Sequence, residues 1–207
     1  MNKLILIFLL LISFGLQAQK MSFFKLGSAE RWWVVSHIFV AKKSKEITQR
    51  SIQLSDSVAK AENFPNRQSG GEKDAFRHAL WMALLAEEIG VKKALKLGVA
   101  HEKKNRKDFE KGRKEEGALP DSVAIEMDLY NNAVGAKISE ECTADSILIC
   151  VKQKLYAGEL RIVKMNLKGE SLNEYDEPIP RKLWEGNWKN ERLLVPSNEL
   201  LKSQNQN

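Results

Sequence analysis

Residues 72–89 restrict this chain more than any other stretch. They read Glu-Lys-Asp-Ala-Phe-Arg-His-Ala-Leu-Trp-Met-Ala-Leu-Leu-Ala-Glu-Glu-Ile and are followed by Gly90. The run is rich in Ala and Leu, holds no breaker, and ends on a natural helix-stopping glycine. A helix this apolar belongs in a core built from other helices. Asp74, Arg77 and His78 nevertheless lie within it. Titratable groups in such a place need partners or a chemical purpose.

The pattern on either side predicts a mainly α fold: a compact domain of about six helices, with at most a short strand pair near the C-terminus. A first helix spans about residues 28–43, capped by Ser28, with Trp32, Trp33, Val35, Ile38 and Phe39 as its apolar stripe. A second, about 44–62, has only sparse apolar positions (Ile47, Ile52, Leu54 and Val58) and reads as a surface helix. Loop residues 63–71 lead into the third helix. A fourth starts at once at Val91 and runs to about Lys104, before a charged stretch that reaches Gly117. The fifth starts near Pro120 or Asp121 and runs to about Glu140; the sixth covers about 144–157 and stops at Gly158. Residues 159–165 alternate weakly and are the one strand candidate. Trp184 and Trp188, four apart, suit a short amphipathic covering piece, and the tail from Ser197 reads as frayed.

The chain begins like an exported protein. Lys3 precedes an almost unbroken apolar run over residues 4–16, and Leu16-Gln17-Ala18 offers a cleavage site before Gln19. The division that follows is a signal peptide at 1–18, N-terminal helices at 19–62, a motif-bearing core at 63–165 and a covering segment at 166–207. The expected location is the periplasm or the exterior. A retained membrane anchor is the alternative, although the run is short for a transmembrane helix.

Cys142 and Cys150 fit a single disulfide in such a compartment. On one straight helix they would stand about 12 Å apart, out of bonding reach. A bridge therefore requires a chain break near Thr143, and two reduced cysteines packed as small hydrophobes are the alternative. The net charge of +6 is modest. Residues 102–116 mix seven basic with five acidic side chains, which reads as a solvated face and argues against nucleic acid as the partner.

Two further polar clusters join the one at residues 74–78. Asp74 and His78 are at i, i+4, a spacing that lets a carboxylate orient an imidazole or lets both meet one metal. Ala94, Leu97, Gly98 and His101 form a stripe on the fourth helix, where small residues admit a close neighbour; Glu102 follows His101 but points about 100° away. Ile125, Asp128, Leu129, Asn132 and Gly135 or Ala136 form the inward stripe of the fifth, with Glu126 and Asn131 beside it. Each cluster alone also reads as a satisfied buried network, a dipole-offsetting histidine or a register-setting amide. Three consecutive helices each placing polar groups inward is a stronger sign of a site. His37, on the first helix, reads as a satisfied core residue.

These motifs resemble a bacterial domain of unknown function: Asp-Ala-x-Arg-His-x-x-Trp at residues 74–81, His-Glu at 101–102, and Asp-x-x-Asn-Asn-x-x-Gly at 128–135. The similarity spans about residues 65–165. Members of that family are often exported, and similar domains end large secreted toxin-like proteins. The resemblance implies that Asp74, Arg77, His78, His101, Glu102, Asp128, Asn131 and Asn132 belong to one site; it supplies no reaction.

Two functional expectations follow. One is a hydrolase with a His/Asp/Asn site. In a metal-dependent version, His78, His101 and Asp128 hold a divalent cation such as zinc, Glu102 or Asp74 acts as base, and Arg77 stabilises an anion. In a metal-free version His78 is the base, oriented by Asp74. A lipid, peptidoglycan or phosphodiester substrate suits either. The other expectation is a non-catalytic module for an envelope partner, its buried polar network fixing the helix packing.

Overall fold

The computed structural model describes residues 23–65, 69–114 and 117–199. The apolar run at 4–16, the cleavage site expected after it and most of the C-terminal tail lie outside the described residues. Within them the chain is mainly helical, as its periodicity implies. The elements are α1 (Ser28–Ser36), α2 (Ile38–Ala61), α3 (Glu72–Ile89), α4 (Val91–Glu110), α5 (Ser122–Glu141), a 3-10 turn (Ala144–Ser146), α6 (Ile147–Ala157), β1 (Arg161–Val163), α7 (Arg181–Trp184) and β2 (Leu194–Pro196).

Helix α3 is the hub. It packs against α2, α4, α5, α6 and β1. Ala75, Phe76, Ala79, Leu80, Met82, Ala83 and Leu85 are wholly buried on it. One core joins this helix to Ile138, Ile147, Val151, Leu155, Leu160 and Ile162. A second joins it to Trp33, Ile47, Ala94 and Ala100. Short antiparallel strands β1 and β2 pair Arg161 with Pro196, Ile162 with Val195 and Val163 with Leu194. The strand expected at 159–165 thus shrinks to three residues.

Close backbone approaches set the geometry around α3. A Cβ at Gly135 of α5 would stand 2.9 Å from the Cα of Ala79 and closer still to its carbonyl oxygen. Only glycine lets α5 lie this close to α3. A Cβ at Gly98 of α4 would meet Met82 Cε at 2.9 Å and Asn132 Nδ2 at 3.1 Å.

Several expectations change. The first helix breaks at His37 (φ −131°), well before Lys43. The Ser36 hydroxyl bonds the carbonyls of Trp32 and Trp33, and His37 Nδ1 lies 2.9 Å from Trp33 O. These side chains take over the final turn's acceptors. His37 is accordingly a half-buried helix-end residue stacked on Trp33 at 4.7 Å, and not a core residue. Of the apolar stripe only Trp33 is buried; Trp32 is 73% and Phe39 99% exposed, and Val35 and Ile38 are also exposed. Gly27, not Ser28, is the N-cap, and its N–H donates to Glu30 Oε2 at 2.6 Å.

Helix α2 buries Ser44, Ile47, Ser51 and Ser55 against the body. Serine belongs there because each hydroxyl donates to a carbonyl of the preceding turn: Ser44 to Val40, Ser51 to Thr48, Ser55 to Ser51. Helix α4 continues past Lys104 to Glu110, supported by i, i+4 pairs Lys104–Asp108 at 2.7 Å and Arg106–Glu110 at 3.0 Å. Asp121 caps α5 by accepting from the Ala124 N–H at 2.9 Å, so Pro120 stays outside. Cys142 and Thr143 leave the helix in extended conformation, and Cys142–Cys150 is bridged with Cα atoms 6.8 Å apart.

Candidate functional site

Asp74, at the third position of α3, is held from two sides. Its Oδ2 accepts from the Gly70 N–H at 2.7 Å, and its Oδ1 from Arg77 at 2.5 Å. One turn on, His78 presents Nε2 to both that carboxylate and the one opposite on α5. The distances are 3.6 Å to Asp74 Oδ1 and 3.4 Å to Asp128 Oδ1. All three side chains are buried.

Ligand atoms of Asp74, His78 and Asp128 lie within 4.8 Å of one another. Bonds of about 2.1 Å in a tetrahedron place ligand atoms about 3.4 Å apart. The separations at His78 match that geometry better than they match hydrogen bonds. Burial is the largest influence on His78 and lowers its pKa to about 4. The Asp74 charge opposes this, Arg77 and His101 reinforce it, and Asn132 opposes it. Its imidazole is therefore neutral at neutral pH, the form that binds a metal.

His101 stands beside this group. Its ring centroid is 6.4 Å from that of His78 and 5.8 Å from that of Trp81. Its Nδ1 lies 3.0 Å from Glu30 Oε1, so a carboxylate from α1 fixes its orientation. Of the ligands expected at the sequence level, His78 and Asp128 meet; Asp74 supplies the third atom, while His101 pairs with Glu30.

The remaining predicted residues divide. Asn132 is buried against His78 and Gly98. Glu102 is buried and accepts from Asn105 Nδ2 at 3.1 Å. Asn131 turns away from the cluster. Its Nδ2 donates to Arg161 O and its Oδ1 accepts from Arg161 N, both at 2.9 Å. It ties β1 to α5.

A small pocket of about 50 Å³ opens on the cluster. Asp74, Arg77, His78, His101, Asn105 and Asp128 line it, together with Arg192. That is room for a cation and water. Arg192 is buried, donates to Asp121 Oδ2 at 2.5 Å and lies over the Trp184 ring at 4.5 Å. A second, larger cavity shares Arg77, His78 and His101 as its wall.

Glu30, Asn105 and Arg192 escaped the sequence reading. Glu30 carried a signal, since an acid at the third helical position commonly caps the first turn. Asn105 follows His101 by four residues and so shares its face. Arg192 carried none, lying in a loop far from every motif.

No curated protein and no solved structure matches the chain. A family model does, over residues 31–159, which takes in α3, α4, α5 and all three polar clusters. The chain belongs to the DUF6973 family, a domain of unknown function.

Proposed function

We propose that the protein is a divalent-cation-dependent hydrolase acting on an anionic ester. The convergence of Asp74, His78 and Asp128 beside a polar pocket carries this reading. Two carboxylates and one neutral imidazole, buried together, are a suitable ligand set for zinc or a similar ion. A bound cation would polarise the ester and acidify a water.

The other roles follow from position. The Glu30–His101 pair is the general base: Glu30 holds Nδ1, and Nε2 takes the proton of the attacking water. As the water oxygen bonds to the ester centre, the bond from that centre to the leaving oxygen breaks, and protonated His101 returns the proton to the leaving oxygen. Arg77 and Arg192 face the same pocket and neutralise the anion. Export belongs to the proposal as well. The Cys142–Cys150 bridge and the apolar run at 4–16 support it.

Metal analysis tests the reading. Wild type is expected to carry one equivalent of metal, and His78→Ala and Asp128→Asn to lose it. His101→Ala is expected to keep the metal and lose hydrolysis of a chromogenic phosphodiester. A wild-type protein that stays metal-free after incubation with zinc or manganese would sink the proposal. One observation favours a second reading, a non-catalytic module: Gly70 and Arg77 already occupy both oxygens of Asp74. That module would bind no metal and keep its fold in chelator.

A further inference from the structure

The larger cavity is a groove of about 820 Å³ between α1, α2, α3 and α4. Leu26, Trp33, Val34, Ile52, Trp81 and Leu97 give it an apolar lining. Its volume is typical of a small-molecule site, and such sites pair an apolar lining with a few placed polar groups. Polar groups from α2, among them Ser44, Thr48 and Ser51, join that lining, and Arg77, His78 and His101 sit together on the α3–α4 side. These last three also line the small pocket beyond. One wall thus separates an apolar volume from the polar cluster.

Charge adds a preference for anions. Lys42 and Lys45 stand exposed at the rim, and Arg77 lies on the α3–α4 side. Against them the groove holds two acids, Glu30 and the exposed Glu46; Glu30 is engaged by His101 and Gly27, as Arg77 is by Asp74, which leaves the two exposed lysines against Glu46. The helices that roof the groove are apolar outside too: Trp32 and Val35 on α1, with Ile38 and Phe39 on α2, are exposed. An apolar outer face flanked by lysines suits the surface of an anionic bilayer.

We propose that the groove takes the single acyl chain of an anionic phosphate amphiphile, such as a lysophospholipid, with its head at Arg77. The proposal deepens the hydrolase reading, on which it rests for the place of the ester bond. The apolar chain accounts for the Trp33–Leu97 lining, and the phosphate for Arg77 at the junction of groove and pocket.

Titration calorimetry of the full chain with butyl, octyl and dodecyl phosphate, below their micelle thresholds and in chelator, tests it. Dodecyl phosphate should bind one per chain. Affinity should fall by up to about tenfold for every two methylenes removed. Inorganic phosphate should bind at least about a hundredfold more weakly than dodecyl phosphate, by the same arithmetic. Ile52→Trp places bulk in the groove at a half-exposed position and should weaken dodecyl phosphate about tenfold or more without moving the thermal midpoint. Leu97→Trp is a second filling variant for the same purpose. Equal affinity for butyl and dodecyl phosphate would overturn the proposal, as would both folded variants binding like wild type. So would no binding at all, the outcome if residues 4–16 of the chain itself filled the groove. The titration needs neither metal nor turnover, so a failed hydrolase reading leaves its result standing.

Discussion

Gly135 and Ala79 touch backbone to backbone, and this contact sets the spacing between the two helices that carry the site. His78 adjoins Ala79 in α3, and Asp128 lies two turns before Gly135 in α5. A Cβ at Gly135 would stand 2.9 Å from Ala79 Cα, with no flexible side chain to yield. Gly135→Ala is expected to push the helices apart and destabilise the fold by about 1–3 kcal/mol. Urea unfolding measures the loss. Metal uptake should weaken in the same variant, because the 3.4 Å separation of His78 and Asp128 depends on that spacing.

Arg77 is expected to be structural as well as functional. Its guanidinium lies 2.5 Å from Asp74 Oδ1, and its side chain is 19% exposed. Arg77→Ala leaves a buried carboxylate facing a second one across His78. The cost should be about 1–3 kcal/mol, that of a buried acceptor losing a charged donor. A thermal midpoint equal to that of wild type would show that Asp74 is held by Gly70 alone.

Burial of His78 makes stability pH-dependent in the metal-free protein. The unfolded chain binds a proton on this residue near its ordinary pKa of 6.5, whereas folded His78 resists until about 4. Between those values the unfolded state holds more protons, so stability falls as pH falls. The loss starts near 6.5, is complete near 4 and totals about 3 kcal/mol. Urea unfolding in chelator from about pH 7.5 to 4 measures it. A His78→Gln variant should flatten that part of the profile.

The Cys142–Cys150 bridge closes a short loop across the turn from α5 into α6. Loop-closure entropy assigns it about 2.5 kcal/mol. Reduction should lower the urea midpoint and leave the helical signal of the native state intact. A midpoint indifferent to reductant would mean that the extended Cys142–Thr143 link is held by packing instead.

Strongly periodic segments were legible in the sequence for physical reasons. The third helix announced itself because its apolar residues cover almost its whole circumference and Gly90 ends it. The chain break needed for the disulfide followed from helix rise alone. Helix α2 was harder to place: Ser44, Ser51 and Ser55 look polar but satisfy their own hydroxyls, so its buried face did not read as apolar. Trp32 and Phe39 looked like core and are exposed, because Trp33 fills the contact with the body.

The polar residues within each helix were legible through their i, i+4 spacing, and three consecutive helices turning such residues inward suggested a site, but the division of labour among them was not legible. Spacing along one helix places Asp74 next to His78. It cannot say that Asp128 would come closer to His78 than His101 does, since that depends on the Gly135 contact between helices. Glu30 and Arg192 reach the site from distant parts of the chain, and local pattern does not encode such reach.

The bonds between Asn131 and Arg161 bear on where this protein can be cut. The carboxamide of Asn131 donates and accepts as a neighbouring strand would, so β1 is hung on α5 as if from a third strand. Leu160 and Ile162 on either side are wholly buried in the core around α3. The family match ends at residue 159, two residues before Arg161. A fragment trimmed to the matched stretch would leave a buried amide without its partners and strip two side chains from the core. The boundary of resemblance is therefore not a boundary of cooperativity, and an expression fragment should extend through β2 to fold as one unit.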